Sequence, residues 1–359
     1  MNKHLRHFGH RFFPFLVKPY RKIRFTLIDL FKLPAELKEV KELACKQLIS
    51  PSQNKDVFVN YYSEFEDIQQ SEKVPGIVFM VDGRMLHGGP TDRLRGILTT
   101  YSMAKRRGIP FHIYWTYPFD LQDYLLPAGI DWHVDASQLT YSRKYAFPVV
   151  IMQTGYPQHR LINYLRLIAG IKNAAFQTHI YSNSDNKKGS YARLYHELFK
   201  PSPRLEAAVN HHLSKIGEKY WSFTFRFLQL LGDFPDHQDL ILDETGKNNL
   251  IQKSIRELIK LMKKMPSDYK ALVTSDSHTF LSAVASLNEP RIYIVPGKVA
   301  NIDLQKGNHE EEWLKTFIDQ QLIMHAEKVF LMKSGKMYRS GFPRFAAEIG
   351  EKPFFIHKY

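Results

Sequence analysis

The sequence predicts an α/β protein: two doubly wound domains behind a basic N-terminal arm. Three observations lead there. From about residue 75 short β-rich apolar runs alternate with amphipathic helical stretches, the alternation is interrupted over 187–204 and then restarts, and the first 25 residues are cationic and aromatic, with Asp29 the first acid. Strand and helix in alternation select a parallel sheet with right-handed crossovers. Each of two such runs is long enough to build its own sheet.

A chain of 359 residues can bury two cores, and 44% hydrophobic with 24% charged residues is a soluble globular composition. Collagen-like and disulfide-stapled classes are excluded: Gly and Pro number 19 each and Cys45 is the single cysteine, so no intramolecular disulfide can form. No run approaches the ~18 apolar residues of a membrane span, and the early run 12–17 is too short and proline-broken for a signal-peptide core. The expectation is an unexported, cytoplasmic chain. Its formal charge of +14 asks for an anionic partner. The arm carries Lys3, Arg6, Arg11, Lys18, Arg21, Lys22 and Arg24 among Phe8, Phe12, Phe13, Phe15 and Tyr20. That mixture suits an anionic membrane surface docked through residues 1–25, or a terminal segment packed on the body with a solvated basic face. Nucleic acid is not expected, since the rest of the chain has no helix-turn-helix, zinc-finger or RNP pattern.

In chain order, 76–81 is continuously apolar, as a strand buried on both faces requires. Leu94, Ile97, Leu98, Tyr101 and Ala104 fall on one helical face, and 111–115 is a second strand, which completes a βαβ unit. Further strands are expected at 149–152 and 175–181. The Lys-, Ser- and Pro-rich stretch 187–204, interrupted by a short helical segment, is the expected junction. Beyond it, strands are expected at 221–227, 271–274, 291–295, 328–332 and 353–357, and helices at 249–265, 279–287, 310–325 and 344–349. Residues 1–70 are then an arm and lead-in, 71–203 the first domain and 204–359 the second. In open sheets of this kind ligands bind beyond the carboxyl ends of the strands.

Four loops sit at such ends. The first holds His87, Gly88, Gly89, Pro90, Thr91, Asp92, Arg93 and Arg95. It matches neither the dinucleotide nor the P-loop pattern. It sets two arginines in the first turns of a helix, where the macrodipole disfavours cations by ~0.3–1 kcal/mol. Either an anionic ligand offsets that cost, or an Asp92–Arg95 pair does with Thr91 as N-cap. In the second, Arg226 closes an apolar strand and must meet an anion or reach water. The third is Thr274, Ser275, Asp276 and Ser277, small groups able to hold a sugar or phosphate, or simply to cap the next helix. The fourth, Tyr338, Arg339, Ser340, Gly341, Phe342 and Pro343, also precedes a helix, and a Gly–Pro turn explains it equally well.

Taken in order, the loop 88–97, the strand with Arg226 followed by Leu231-Gly232-Asp233-Phe234, the Thr274-Ser275-Asp276 turn and the Ser340-Gly341-Phe342 turn resemble the fucosyltransferase-like glycosyltransferases, nearest to their bacterial surface-polysaccharide members. The likeness covers about 75–359. It implies two Rossmann-like domains facing a cleft, the GT-B fold, with the acceptor side first and the donor side second. It implies inverting transfer from a nucleotide sugar, GDP-fucose in the characterised branches, onto a glycan or lipid-linked glycan at the inner membrane face, with no cofactor and no required metal. Arg226 would match the arginine that grips the donor diphosphate. Gly88, Gly89, Arg95, Thr274, Ser275, Asp276, Ser340, Gly341 and Phe342 would line the donor site, and Asp92 and His87 are the candidate bases. Where many of these enzymes read His-x-Arg-Arg, this strand reads Thr224-Phe225-Arg226-Phe227, so the likeness reaches the transfer class before the sugar. The rivals are an enzyme of this fold using another nucleotide sugar and a non-catalytic scaffold of a polysaccharide-assembly complex.

Overall fold

A computed structural model of the chain describes residues 73–359 except 86, 143–144, 152–176, 184–189, 236–239, 300 and 303–308. The basic arm, Cys45 and the ends of two expected strands, 152 and 175–176, lie outside the described residues. In chain order the elements are β1 (Gly76–Val81), α1 (Pro90–Arg106), β2 (Phe111–Trp115), β3 (Leu125–Pro127), β4 (Ala146–Ile151), β5 (Gln177–Ser182), α2 (Tyr191–Leu198), β6 (Phe199–Pro201), α3 (Pro203–Ile216), β7 (Tyr220–Phe225), α4 (Glu244–Met262), β8 (Lys270–Ser275), α5 (His278–Ala285), β9 (Ile292–Tyr293), α6 (Glu310–His325), β10 (Lys328–Lys333), α7 (Phe342–Ile349) and β11 (Phe354–Lys358). Among the described residues no helix is long and apolar enough to cross a membrane.

Contacts divide the chain into two compact units: 1–79, 108–111 and 134–182 in one, and 80–107, 112–133 and 183–359 in the other. The first holds most of a four-stranded sheet ordered β2-β1-β5-β4, in which β1 and β4 both pair parallel with β5. Its β1 is buried along Ile77, Val78, Phe79 and Met80, as a continuous apolar run demands. Gln177, at the start of β5, is buried and ties the neighbouring loop, accepting from Thr140 N and donating to the Val74 and Gln138 carbonyls.

The second unit contains the five-stranded sheet β11-β10-β7-β8-β9, parallel throughout. Numbered by appearance within that sheet, the order is 3-2-1-4-5 read from the β9 edge. This is the doubly wound arrangement whose direction of winding reverses beside its first strand. That strand, β7, is buried at every position. Trp221, Phe223 and Phe225 face α4 and α5 and form one core with Ile251, Ile255, Leu258, Val273, Phe280 and Met332. On the other face Tyr220 donates its hydroxyl to Leu322 O of α6, 2.7 Å away. Each large apolar side chain removed from water here contributes ~1.5–3 kcal/mol.

Boundaries moved where local chemistry overrides periodicity. β7 stops at Phe225, two residues short of expectation, because Phe227 and Leu228 turn into a short 3-10 segment, 228–231, closed by the left-handed Gly232. α4 begins at Glu244 rather than 249, since Asp243 accepts from Gly246 N at 2.8 Å and caps it. β9 is only two residues, ended by the turn at Pro296-Gly297. The described part of the expected junction is α2 and β6, with Tyr191, Leu194, Tyr195 and Leu198 buried, and α3 and the antiparallel pair β3–β6 were not foreseen. Within this unit α2 packs on both α1 and α7.

The end of α7 is a close backbone contact with the end of α6. A Cβ on Gly350 would lie 2.3 Å from the Met324 carbonyl oxygen and 2.9 Å from its Cα. Gly350→Ala should therefore lower stability by about 1–3 kcal/mol, as overpacking against immovable backbone does, read from the denaturant midpoint at unchanged slope.

Candidate functional site

The carboxyl ends of β7, β8 and β10 meet where the winding of the five-stranded sheet reverses. Arg226 is the first residue beyond β7. Its carbonyl accepts from Tyr338 N at 3.0 Å, which fastens the loop after β10 to the end of β7. The guanidinium lies 4.4 Å from the centre of the Phe234 ring and 3.4 Å from Asp276 Oδ2, with the side chain 25% exposed. Arginine has five N–H donors. Beyond this ion pair and ring face, its guanidinium makes no hydrogen bond among the described residues, so donors remain for something in solution.

Asp276 does not face outward. Its side chain is 1% exposed. Oδ1 accepts from Phe227 N at 2.9 Å and Oδ2 from Leu228 N at 2.7 Å, which pins the turn after β7 in addition to pairing with Arg226. Burial raises its pKa, against the pull of Arg226 and the two amides. The expectation that Asp276 lines the donor site is corrected: its oxygens are taken up within the fold, and it acts as the support beneath Arg226. Thr274 and Ser275 are also buried rather than open to a ligand. Thr274 Oγ1 lies 2.8 Å from Thr224 Oγ1 across the β7–β8 pair, and Ser275 Oγ accepts from Ser277 N. Ser277, not Asp276, caps α5, accepting from Phe280 N, while Asp233 Oδ2 accepts from Thr279 N and from Ser277 Oγ. Sequence reasoning assigned no role to Asp233 or Phe234. The signal was the Gly232-Asp233-Phe234 triplet after a strand: a left-handed turn, a capping acid and a ring.

The loop after β1 is held from inside. Arg93 is buried, donating from Nε to Gly88 O at 3.1 Å and from Nη1 to Tyr117 O at 2.8 Å, with its guanidinium over the Trp115 ring. His87 is also fully buried, and Nδ1 donates to Met85 O at 3.0 Å. Burial, then repulsion from Arg93, lowers its pKa to about 3. The expectation of His87 as a base toward substrate is corrected, because an imidazole without exposed surface cannot meet an acceptor hydroxyl. Asp92 is exposed, and its carboxylate lies over Gly88, where a Cβ would sit 2.7 Å from Oδ2. Gly88 is left-handed at φ +84°, and the N-cap of α1 is Gly89, without a side-chain cap, rather than Thr91.

Arg95 joins this loop to the turn before α7. Nη2 donates to Gly341 O at 3.3 Å, Nη1 lies 4.0 Å from Asp92, and the guanidinium covers the Phe345 ring at 5.5 Å. A Cβ on Gly341 would be 2.8 Å from Arg95 Nη1, so a side chain there would displace the guanidinium. Ser340 Oγ accepts from Phe342 N at 3.2 Å, closing the start of α7. Phe342 is half-buried, and Tyr338, Arg339 and Arg344 are exposed beside it. The structure thus brings Gly88, Gly89, Asp92, Arg95, Ser340, Gly341 and Phe342 into one neighbourhood and ties Arg226 to the same loop through Tyr338. Thr274, Ser275, Asp276 and His87 serve as its internal supports.

A 3-2-1-4-5 parallel sheet is a doubly wound arrangement, in which ligands bind outside the carboxyl ends of the strands where the winding reverses. Among solved structures the chain superposes on a mutant of Arabidopsis thaliana FUT1 in complex with GDP, with TM-score 0.51 and 12% identity over 80% of this chain and 71% of that one. The fucosyltransferase NodZ from Bradyrhizobium gives TM-score 0.49 and 15% identity over 76% and 92%. No family model matches, and no curated protein matches in sequence. The chain has the fold of the fucosyltransferase-like enzymes.

The state of His87 has a measurable consequence. Unfolded, it binds a proton below its ordinary value of 6.5; folded, it resists protonation down to about 3. Stability carried by neutral His87 is therefore complete above pH 6.5 and falls with decreasing pH through that window, by about 1.4 kcal/mol per pH unit at most. Denaturation at a series of pH values should show this slope for the wild-type chain and its loss in His87→Asn.

Proposed function

We propose that this protein is an inverting glycosyltransferase that takes a sugar from a nucleoside-diphosphate donor and places it on a glycan acceptor of surface-polysaccharide synthesis, with GDP-fucose the first donor to try. In this reading 71–203 and 204–359 are the acceptor and donor domains of a GT-B enzyme, and no metal is required. One observation carries it: a part-exposed arginine, with donors to spare, stands at the reversal point of a doubly wound sheet. The shared fold with a GDP-bound fucosyltransferase supports the choice of nucleotide.

The chemistry follows from charge. As the acceptor oxygen bonds to the anomeric carbon, the bond to the diphosphate breaks and negative charge grows on the departing oxygens. A guanidinium can take two of those oxygens in parallel hydrogen bonds. Asp276 and Phe234 hold that guanidinium from beneath and from one face, so little reorganisation is needed when the charge appears. The acceptor proton needs a base, and Asp92, its side chain 46% exposed, is assigned that role in place of the buried His87.

Arg226→Ala should lower turnover of the folded fraction by at least about 100-fold, the loss typical of a principal transition-state charge partner, and should also lower the melting temperature, because buried Asp276 loses its cation. Near-normal turnover would remove Arg226 from the reaction. Thermal melting with GDP, UDP and other nucleotides tests the class itself: at 100 times its dissociation constant the true donor nucleotide should stabilise by about 2.7 kcal/mol. No response to any nucleotide would favour the scaffold.

A further inference from the structure

Tyr359, the residue after β11, reaches the site from far along the chain. Its half-buried ring packs against the core of the five-stranded sheet, with the Lys253 ammonium of α4 5.7 Å from the ring centre. The hydroxyl donates to Met337 Sδ at 3.6 Å. With its one proton so placed, it accepts from Ser254 Oγ of α4 at 2.7 Å. Burial pushes its pKa up to about 12, so it stays a donor at neutral pH. The backbone is used as well: Tyr359 N donates to Lys333 O at 3.2 Å, and Tyr359 O accepts from Ser334 Oγ at 2.9 Å.

Ser334 and Met337 belong to the loop after β10. Met337 is buried, and its sulfur also accepts from Ser334 N at 3.3 Å. Its amide donates to Ser334 O at 2.9 Å, and its carbonyl accepts from Lys333 Nζ at 2.8 Å. Lys253 Nζ donates to Ser334 Oγ at 3.1 Å and ties the same loop to α4. The next residue is Tyr338, whose amide donates to Arg226 O. A short path of bonds therefore runs from the Tyr359 hydroxyl through Met337 to the backbone of Arg226. Asp276 fixes Arg226 at the guanidinium, and this path fixes it at the carbonyl.

We propose that Tyr359 is a positioning residue for Arg226, acting through Met337 and the Tyr338 amide rather than by touching a substrate. The inference rests on the reaction proposed above and deepens it. A guanidinium that stabilises charge only as it develops must already stand in place, and a misplacement of ~1 Å at such a group costs up to ~100-fold. Met337 suits the coupling, since its unbranched thioether fills the gap while one sulfur serves two donors. Packing alone asks only for the ring of Tyr359; the hydroxyl is what reaches the loop.

Tyr359→Phe in the full chain is the test, because the ring stays and the core with it. Hydrogen exchange at the Tyr338 amide, followed by NMR, should quicken about tenfold over wild type. With the best donor, kcat should fall about threefold to tenfold while the donor KM stays within about twofold, the pattern of an interaction used in the transition state. Met337→Leu, similar in volume but without the acceptor sulfur, should reproduce both effects. The double variant should lose little more than either single one, since both act through one contact. Tyr269→Phe removes a hydroxyl at the amino edge of the same sheet, where it donates to Glu327 at 2.8 Å, and should leave exchange and kinetics at wild-type values. The proposal is overturned if Tyr338 exchange is unchanged in Tyr359→Phe, if kcat holds although exchange quickens, or if Tyr269→Phe slows turnover as much. A wild-type chain with no turnover on any donor and no melting response to any nucleotide overturns the proposed reaction instead, and exchange at Tyr338 still decides whether Tyr359 holds the backbone at Arg226.

Discussion

The buried carboxylate of Asp276 is the point on which the site depends. It lies at the carboxyl end of β8, accepts from the two amides that follow Arg226, and pairs with the Arg226 guanidinium. A charge so deeply placed is stable only because a cation and oriented N–H groups compensate for lost hydration. The cation gains in return. Its position is fixed against Phe234 and Asp276, with donors left beyond that ion pair. A single acid thereby sets the turn after β7 and the direction of the arginine that the proposed reaction uses.

The second constraint is the meeting of Arg95 with Gly341. These residues are far apart in the chain, and a side chain at 341 would displace the Arg95 guanidinium. Together with the Tyr338 bond to Arg226, it draws the loops after β1, β7 and β10 into one neighbourhood. Arg93 and His87 support this from below: one as a buried cation spent on backbone carbonyls, the other as a buried neutral ring. An arginine early in a helix thus proved to be two different things. Arg93 is a structural rivet, and Arg95 is a link to α7.

Several polar residues that looked like ligand-binding groups turned out to be internal fittings, for a common reason. A parallel sheet needs its strand ends closed, and Thr, Ser and Asp close them by bonding across strands and to helix amides. Thr224 with Thr274, Ser277 with Phe280 N, and Asp233 with Thr279 N all do this. Tyr338, Arg339 and Arg344, which face solvent at the same edge, are larger, and two of the three are basic.

Sequence alone was enough for most strands of the two parallel sheets and most of the helices between them, though not for α3 or the β3–β6 pair. A continuous apolar run means a strand covered on both faces, and a helical stripe means one face buried; both are local properties of the chain, and β1, α1, β7 and α6 were legible for that reason. The position of Arg226 at a strand end was legible too. What tertiary structure decided was which polar group meets which. Arg226 finds Asp276 only because β7 and β8 are neighbours, and Arg95 finds Gly341 across 246 residues. His87 is buried beside Arg93, which holds the Gly88 carbonyl, a setting its immediate sequence does not announce. Periodicity reports that a side chain is inside or outside; the partner that makes it a support or a binding group is set by the packing of distant segments.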